Sequence, residues 1–174
     1  KFISKYISNK KIILDAGCGN GTFIKFIKEK FNKSFIFGID QNINNVEIAK
    51  KIENKIEVKN IVDLNYKNKF DIIVCSHVIQ CLNTNEVALV LKKFHKSLKK
   101  NGFLIISTQN NYKNFYEHPE NVRPYPLSVF FRYFKRTNLS DLKKSESTSP
   151  SFSDMPKFKI INYKLRYEPL IYFT

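Results

Sequence analysis

The stretch IILDAGCGNG, residues 12 to 21, joins a short apolar run to a loop that has glycine at every second position. An apolar run bounded by glycine is typical of a buried strand. Gly17, Gly19 and Gly21 allow a sharp backbone turn and let a ligand lie against the main chain, because they carry no Cβ. The stretch therefore predicts a strand, then a ligand-binding turn, then a helix that begins near Thr22.

Apolar runs and helical periodicities alternate along the next eighty residues. Strands are predicted in KIILD, SFIFGID, KIEVKNIVD, FDIIVCS and FLIIST, and helices in TFIKFIKEKF, INNVEIAKKI and the segment that follows Leu82. Asn83 and Glu86 form a predicted capping box for the last helix, and Asn101 with Gly102 is expected to end it. Strands that alternate with helices predict a Rossmann-like, doubly wound α/β fold with helices on both faces of a mostly parallel sheet.

The two ends of the chain give weaker signals. A short amphipathic helix is predicted at residues 2–7, and the segment QNNYKNFYEHPENVRPYP predicts a loop that covers a site, followed by a helix that starts near Pro126. Six serines and two prolines at residues 138–156 predict a mobile loop within a single domain, 1–174. Alternating apolar residues on either side of Glu168 and Pro169 predict two antiparallel strands. The sheet is thus expected to have seven strands, with an antiparallel last strand.

The charge balance points to a polyanionic partner, although weakly. The chain has 30 basic and 15 acidic residues, a formal net charge of +15, which favours RNA or an anionic membrane surface. Lysine supplies 26 of the basic residues and arginine 4. Nucleic-acid sites favour arginine, whose planar guanidinium makes bidentate and stacking contacts. The composition alone therefore does not establish RNA binding.

The cysteines and the apolar runs restrict the location of the protein. Cys18, Cys75 and Cys81 lack the spacing of a zinc site, which predicts reduced thiols and no metal. No run is long enough for a membrane span, and the first residues lack the apolar core of a signal peptide. These features predict a cytoplasmic protein. Because the sequence opens on Lys1 rather than methionine, we allow for a missing N-terminal segment.

An acidic residue stands at the end of each of the first three predicted strands. Ligands of such sheets bind outside the carboxyl ends of the strands, so Asp15, Asp40 and Asp63 are expected to meet there. Asp40 suits the hydroxyls of a ribose, with a helix cap as the alternative, and Asp63 suits an amine of adenine. Asp15 beside the glycine loop suits a ligand with an ammonium group. Thr22 stands where the dinucleotide fingerprint requires glycine, so the pattern favours S-adenosylmethionine over NAD.

Five segments occur in a fixed order over residues 10 to 110, namely ILDAGCGNG, GID, VDLNY, FDIIVCSHVIQCL and LKKNGFLIIST. Through them the sequence resembles the class I S-adenosylmethionine-dependent methyltransferases. It is most similar to the group of small-molecule enzymes whose fourth strand runs into an sHVLEHL-like segment. NVRPYPLSVFFRYF also resembles the arginine and aromatic lead into the late helix of that group.

The resemblance implies a set of functional residues. Around S-adenosylmethionine, and its product S-adenosylhomocysteine, it places Asp15, Gly17, Gly19, Gly21, Asp40, Gln41, Val62, Asp63, Leu64 and Cys75. His77 would face the donor methyl and the acceptor, and is the candidate base. Candidate substrate contacts in the covering loop are Tyr116, His118, Arg123 and Tyr125. For Arg123 the alternative is a purely structural role, in which it holds the late helix.

Two departures from the family pattern bear on the substrate. Gln80 and Cys81 stand where the related group has Glu and His, so no acid, base or metal role is implied for that pair. The asparagine-proline-proline-aromatic signature of amino-group and adenine methylation is absent after the fourth strand, where CSHV stands. We therefore expect methyl transfer to a small molecule or biosynthetic intermediate. An RNA or tRNA methyltransferase and a non-catalytic S-adenosylmethionine-binding protein are the alternatives.

Overall fold

The computed structural model describes residues 7–108, 115–125, 129–130, 159–162 and 170–173. Almost all of the helix predicted at residues 2–7, most of the late helix after Pro126, and the loop predicted at 138–156 lie outside these residues. None of the helices in the described ranges is long and apolar enough to cross a membrane.

Strands and helices alternate along the described chain as the sequence predicts. Three helices and five strands follow one another as β1 Ile12–Ala16, α1 Thr22–Lys30, β2 Phe35–Asp40, α2 Ile43–Lys50, β3 Ile56–Val58, β4 Phe70–Ser76, α3 Thr84–Ser97 and β5 Leu98–Ser107. The five strands pair in parallel in the order β3-β2-β1-β4-β5. This confirms the predicted Rossmann-like parallel sheet, and it brings the carboxyl ends of β1, β2 and β4 to one edge.

Two further strands extend the sheet beyond β5. β7, Leu170–Phe173, pairs antiparallel with β5, and β6, Lys159–Asn162, pairs antiparallel with β7. The residues that connect these strands lie outside the described ranges. The complete seven-stranded sheet with an antiparallel last strand therefore stays a prediction.

Apolar side chains cover both faces of the sheet. Neighbouring strand residues alternate between two core clusters, so that Leu14 and Ile73 pack with α3 on one face while Ile13 and Ile72 pack with α1 and α2 on the other. Such alternation follows from the two-residue period of a strand. In α1, Ile24 and Ile27 are fully buried, and Phe23 is half-buried against the same cluster.

The start of α3 is confirmed and its end is not. The side chain of Asn83 accepts from the backbone N–H groups of Asn85 and Glu86, and Glu86 Oε2 accepts from Asn83 N at 2.8 Å. The helix ends at Ser97, four residues before the predicted cap, and the chain enters β5 directly. Ser97 Oγ donates to Lys93 O at 2.7 Å, and such a bond competes with helix continuation. Asn101 does have a positive φ of 63°, within β5.

The third strand is shorter than predicted. It ends at Val58, and Asn60 then caps a 3₁₀ turn, Ile61–Asp63, by accepting from Val62 N at 3.1 Å. Asn side chains commonly replace strand pairing by such local bonds. Asp63 consequently ends this turn, whereas the sequence had predicted it at the end of the strand.

Candidate active site

The glycine loop folds over the carboxyl ends of β1 and β2. Gly17, Gly19 and Gly21 have φ values of +83°, +52° and +85°, a region that other residues rarely adopt. Gly17 N and Cys18 N both donate to Ile39 O, at 2.8 and 2.9 Å, which ties the loop to β2. A methyl group added at Gly19 would meet no described atom within 4 Å, so the loop leaves open space beside it.

Asp40 connects this loop to the start of α2. Its Oδ2 accepts from Gly19 N at 2.8 Å and its Oδ1 from Asn42 N at 2.9 Å. The cap of α2 is Asn42, whose side chain accepts from Asn44 N and Asn45 N, so the helix-cap alternative for Asp40 is wrong. An ionised carboxylate offers about four lone-pair sites. Both oxygens of Asp40 therefore keep the capacity to accept ribose hydroxyls.

Asp15 is a buried carboxylate without a full set of partners. The residue is 2% exposed, and its Oδ2 has no hydrogen-bond partner among the described residues. Burial, with a smaller contribution from the charge of Asp40, raises the pKa of Asp15 to about 7. An uncompensated buried charge is costly, and a cationic ligand group would relieve that cost. The residue is therefore suited to receive the ammonium group of an amino acid.

This burial predicts a pH dependence that Asp15→Asn removes. The folded-state pKa, about 7, lies above the ordinary value of 3.8, so the unfolded chain binds fewer protons between these values and the folded protein loses stability as pH rises through this window. Without cofactor, Asp15→Asn should melt several degrees above wild type at pH 8 and close to it at pH 3.5, by thermal denaturation. If the difference in melting temperature between Asp15→Asn and wild type were the same at pH 8 and pH 3.5, the raised pKa of Asp15 would be contradicted.

A cavity of about 470 Å³ opens beside the loop and Asp40. On the side of β2 and the glycine loop it is lined by Gly17, Ile39, Asp40, Gln41, Asn42, Asn45, Lys59, Asn60 and Ile61. On the side of β4 and the covering loop it is lined by His77, Val78, Gln80, Cys81, Leu82, Glu86, His118, Glu120 and Asn121. The structure thus brings together five of the predicted site residues, which are Gly17, Asp40, Gln41, His77 and His118.

The residues predicted to surround adenine, Val62, Asp63 and Leu64, lie outside this lining. Asp63 is exposed, Leu64 is buried in the core, and the carbonyl of Val62 accepts a hydrogen bond from Lys93. Asn60 and Ile61 line the cavity instead. The prediction missed them because it extended β3 to Asp63; the turn-forming Asn60 was the available signal. An adenine contact by Asp63 stays a prediction.

Cys75 also lies outside the cavity lining. It is fully buried in the core cluster on the α3 face of the sheet. Burial is the main reason that the pKa of its thiol lies far above the ordinary value. The side chain therefore acts as a small apolar residue in the packing below the site.

His77 stands at the rim of the cavity in an unusual backbone conformation. Its φ is +56°, its backbone N donates to Ser107 O at 2.8 Å, and its Nε2 lies 3.5 Å from Ser107 Oγ. Residues other than glycine and asparagine rarely adopt this left-handed backbone conformation without a constraint. The backbone bond to β5 supplies such a constraint, and His77 lines the cavity. Ser107 was missed by the sequence prediction, since its position depends on pairing between β4 and β5.

The covering loop is fixed to the segment after β4. Gln80 O accepts from Val122 N and Arg123 N, at 2.9 and 3.1 Å, and Arg123 Nη1 donates to Thr84 Oγ1 at 3.0 Å. Tyr125, 1% exposed, donates its hydroxyl to Leu82 O at 2.9 Å. These contacts give Arg123 and Tyr125 an anchoring role, and Arg123 holds the start of α3.

Two other residues of the loop differ in their relation to the cavity. Tyr116 is 69% exposed, stacks edge-on against Phe115 and does not line the cavity, whereas His118 does. Glu120 and Asn121 line it as well, although no sequence pattern distinguishes them from other loop residues. Substrate contact by Tyr116, Arg123 and Tyr125 stays a prediction.

Charges around the cavity are mainly acidic. Its charged lining residues are Asp40, Glu86 and Glu120 against Lys59. Burial, followed by the charge of Glu120, raises the pKa of Cys81. The Cys81 thiol is consequently held neutral, and the lining offers a polyanion little electrostatic attraction.

Comparison with known proteins gives one family model and several relatives. The model described as a methyltransferase domain matches residues 7–147. The chain is 27% identical over 173 residues to the ubiquinone biosynthesis O-methyltransferase of Pelagibacter ubique, which covers 91% of this chain and 69% of that protein. It is 29% identical over 112 residues to the malonyl-[acyl-carrier protein] O-methyltransferase of Priestia megaterium, which covers 62% of this chain. The match spans 40% of the length of the Priestia protein.

Solved structures share the fold. A SAM-dependent methyltransferase from Archaeoglobus fulgidus superposes with a TM-score of 0.74 at 15% identity, covering 99% of this chain and 90% of that chain. A TehB-like SAM-dependent methyltransferase from Corynebacterium glutamicum gives a TM-score of 0.67 at 21% identity, covering 99% and 84%. These likenesses extend the family assignment from sequence to three-dimensional fold.

Proposed function

The chain belongs to the class I S-adenosylmethionine-dependent methyltransferases, and on this premise we propose that it transfers a methyl group to a small molecule or biosynthetic intermediate. The observation that carries the proposal is that Gly17, Asp40 and His77 line one cavity, while the buried carboxylate of Asp15 stands directly before the glycine loop. The cavity thus has a cofactor-binding end next to an acceptor-binding end.

S-adenosylmethionine fits the residues present. The unpartnered Oδ2 of Asp15 can accept from the ammonium of the methionine part, and the open space at Gly19 admits that part against the backbone. Asp40 can accept from the ribose hydroxyls, while Asn60 and Ile61 line the space beyond it. We infer that this half of the cavity holds the adenine ring. We also propose that residues 1–174 form a single domain around the seven-stranded sheet.

When bound, S-adenosylmethionine would supply a methyl group on a sulfonium centre, so that in-line attack by the acceptor on the methyl carbon would release S-adenosylhomocysteine. The protein need therefore provide mainly alignment and exclusion of water. The covering loop, fixed through Gln80, closes the acceptor side of the cavity. His77 Nδ1 accepts the proton that an acceptor hydroxyl loses, while the N–H of Nε2, 3.5 Å from Ser107 Oγ, donates to that oxygen and orients the ring.

The lining charges favour a small acceptor over RNA. Three carboxylates and one lysine line the cavity, so a phosphate chain would meet repulsion near the site. Two of the relatives are named as O-methyltransferases, of ubiquinone biosynthesis and of malonyl-[acyl-carrier protein]. Another, 33% identical over 112 residues, is named ribosomal protein L11 methyltransferase of Thermosipho africanus. We propose an oxygen acceptor on a small molecule.

The proposal is tested by transfer of a labelled methyl group. The purified chain and labelled S-adenosylmethionine are added to an extract of the source cells, which is then separated into small molecules, RNA and protein. Label in the small-molecule fraction is expected. If only RNA or only protein were labelled, the acceptor would belong to that class and not to the small molecules. Cofactor binding without label in any fraction would indicate a non-catalytic binding protein.

His77→Asn is expected to lower the rate of methyl transfer by about 10²- to 10⁴-fold, the usual contribution of a placed base. Asparagine tolerates the left-handed backbone of this position, so the variant removes the imidazole without adding strain. The rate is measured with the small-molecule fraction as acceptor. The dissociation constant for S-adenosylmethionine, measured by calorimetry, should stay within about threefold of wild type. If the rate were unchanged, His77 would only line the cavity and would not act as the base.

A further inference from the structure

Lysines gather at the edge of the sheet that lies opposite the cavity. Parallel strands all begin at one edge, and lysines stand at or just before the start of each of the five. They are Lys10 and Lys11 for β1, Lys33 for β2, Lys55 for β3, Lys67 and Lys69 for β4, and Lys99 and Lys100 for β5. Backbone bonds place these starts together, since Phe35 N donates to Lys11 O and Lys69 N to Ser97 O.

The helices bring further lysines to the same edge. In a doubly wound fold they run antiparallel to the strands, so their carboxyl ends lie where the strands begin. The added residues are Lys28, Lys30, Lys50, Lys51 and Lys96. These thirteen lysines form what we call the basic edge. Glu29, Glu53 and Asp71 lie among them, and of these Glu53 pairs with Lys28 and Asp71 with Lys99, at 3.3 and 3.0 Å.

Ordinary causes explain only part of this concentration. A lysine-rich composition would spread lysines over the whole surface, yet of the lysines in residues 7–108 only four lie elsewhere, namely Lys25, Lys59, Lys92 and Lys93. Cations at helix carboxyl ends compensate the helix dipole. The lysines that precede strands belong to no helix, so this compensation does not account for them.

Aromatic rings are exposed between these lysines. Phe35, at the start of β2, is 55% exposed, and Phe26 on α1 is 38% exposed. Lys55 Nζ lies 4.8 Å from the ring centre of Phe35, and Lys30 Nζ lies 5.8 Å from that of Phe26. Rings in this position can enter the headgroup region of a bilayer while neighbouring ammonium groups contact lipid phosphates.

We propose that the basic edge binds the surface of a membrane rich in anionic lipids. Lysines near such a surface each contribute about 1 kcal/mol of attraction. Among the described residues the edge carries no arginine, since Arg123 lies beside the cavity, so the bidentate and stacking contacts favoured by nucleic acid are missing there. The cavity opens at the opposite edge and stays accessible to an acceptor in water. This surface is separate from the acidic lining of the active site.

A single tryptophan tests the proposal directly, because the chain contains none. In Phe35→Trp, addition of vesicles of phosphatidylcholine with about one third phosphatidylserine should shift the emission to shorter wavelength, and 0.5 M salt should abolish the shift. Tyr116→Trp, on the covering loop, is the matched control and should not shift. A shift at residue 116 and none at residue 35 would overturn the proposal.

A pair of charge-matched variants separates the basic edge from net charge. Lys33→Glu with Lys67→Glu should weaken sedimentation with the anionic vesicles at least tenfold, whereas Lys25→Glu with Lys92→Glu should change it less than twofold. Equal losses in both pairs would refute a localised surface. Binding to a uridine oligonucleotide that is tighter than binding to the vesicles would replace the membrane by RNA. Neither assay needs acceptor or cofactor, so the outcome does not depend on methyl transfer.

Discussion

Replacement of Asp40 by alanine is expected to weaken the binding of S-adenosylmethionine by about 10²- to 10⁴-fold. Each hydrogen bond to a charged group contributes roughly 1.5 to 3 kcal/mol, and the ribose offers two hydroxyls to this carboxylate. The same change removes the acceptor of Gly19 N, which holds the glycine loop against β2. Isothermal titration calorimetry with S-adenosylmethionine and S-adenosylhomocysteine measures the loss.

Asp71→Ala is the matched control for this prediction. Asp71 also accepts from a backbone N–H, that of Ile12 at 2.8 Å, and it pairs with Lys99 at the edge opposite the cavity. Its loss should lower the melting temperature while leaving cofactor affinity unchanged. If Asp40→Ala bound the cofactor within threefold of wild type, Asp40 would have no ribose role. Equal losses of affinity in both variants would indicate a general effect on folding.

Local sequence signals predicted the parts of the structure that depend on a few neighbouring residues. The glycine loop was predicted because glycine permits the positive φ values that Gly17, Gly19 and Gly21 adopt. The start of α3 was predicted for a similar reason, since Asn83 and Glu86 satisfy each other within one turn. Both features need no knowledge of the rest of the chain.

The errors arose where a polar side chain competes with regular structure. Asn60 ends β3 early by capping a turn, and this moves the cavity lining from Asp63 to Asn60 and Ile61. α3 also ends earlier than predicted, at Ser97, whose Oγ bonds to Lys93 O within the helix. In each case the apolar pattern continued past the true boundary, so periodicity extended the element too far.

Contacts between distant segments could not be predicted from the sequence. Ser107 meets His77 because β4 and β5 pair in register, and Glu120 reaches the cavity because Val122 and Arg123 bond to Gln80.

The distribution of charge over the surface could not be predicted from the sequence either. The sequence supplies the net charge of +15, but the parallel topology determines that lysines gather away from the cavity. This placement is why the same charge argues against an RNA acceptor and for a separate anionic surface.

Gly17→Ala is expected to lower the melting temperature by about 5 to 15 °C. An added Cβ would lie 2.1 Å from Val78 Cγ2, and the φ of +83° is unfavourable for alanine. Overpacking costs roughly 1 to 3 kcal/mol and a left-handed conformation about 1 to 2 kcal/mol, and in a domain of this size each kcal/mol corresponds to about 2 to 4 °C. Thermal denaturation without cofactor measures the change.

Gly19→Ala separates folding from ligand binding at the same loop. Its Cβ would meet no described atom within 4 Å, so the cost to stability should be a few degrees, from the φ of +52° alone. The methyl group would nevertheless occupy the space proposed for the methionine part, and we expect cofactor affinity to fall at least tenfold.

In the double variant Gly17→Ala with Val78→Ala, removal of Cγ2 should restore part of the stability lost in Gly17→Ala. If the double variant recovered none of the lost stability, the clash with Val78 would not be the cause of the loss in Gly17→Ala. Unchanged cofactor affinity in Gly19→Ala would place the cofactor elsewhere.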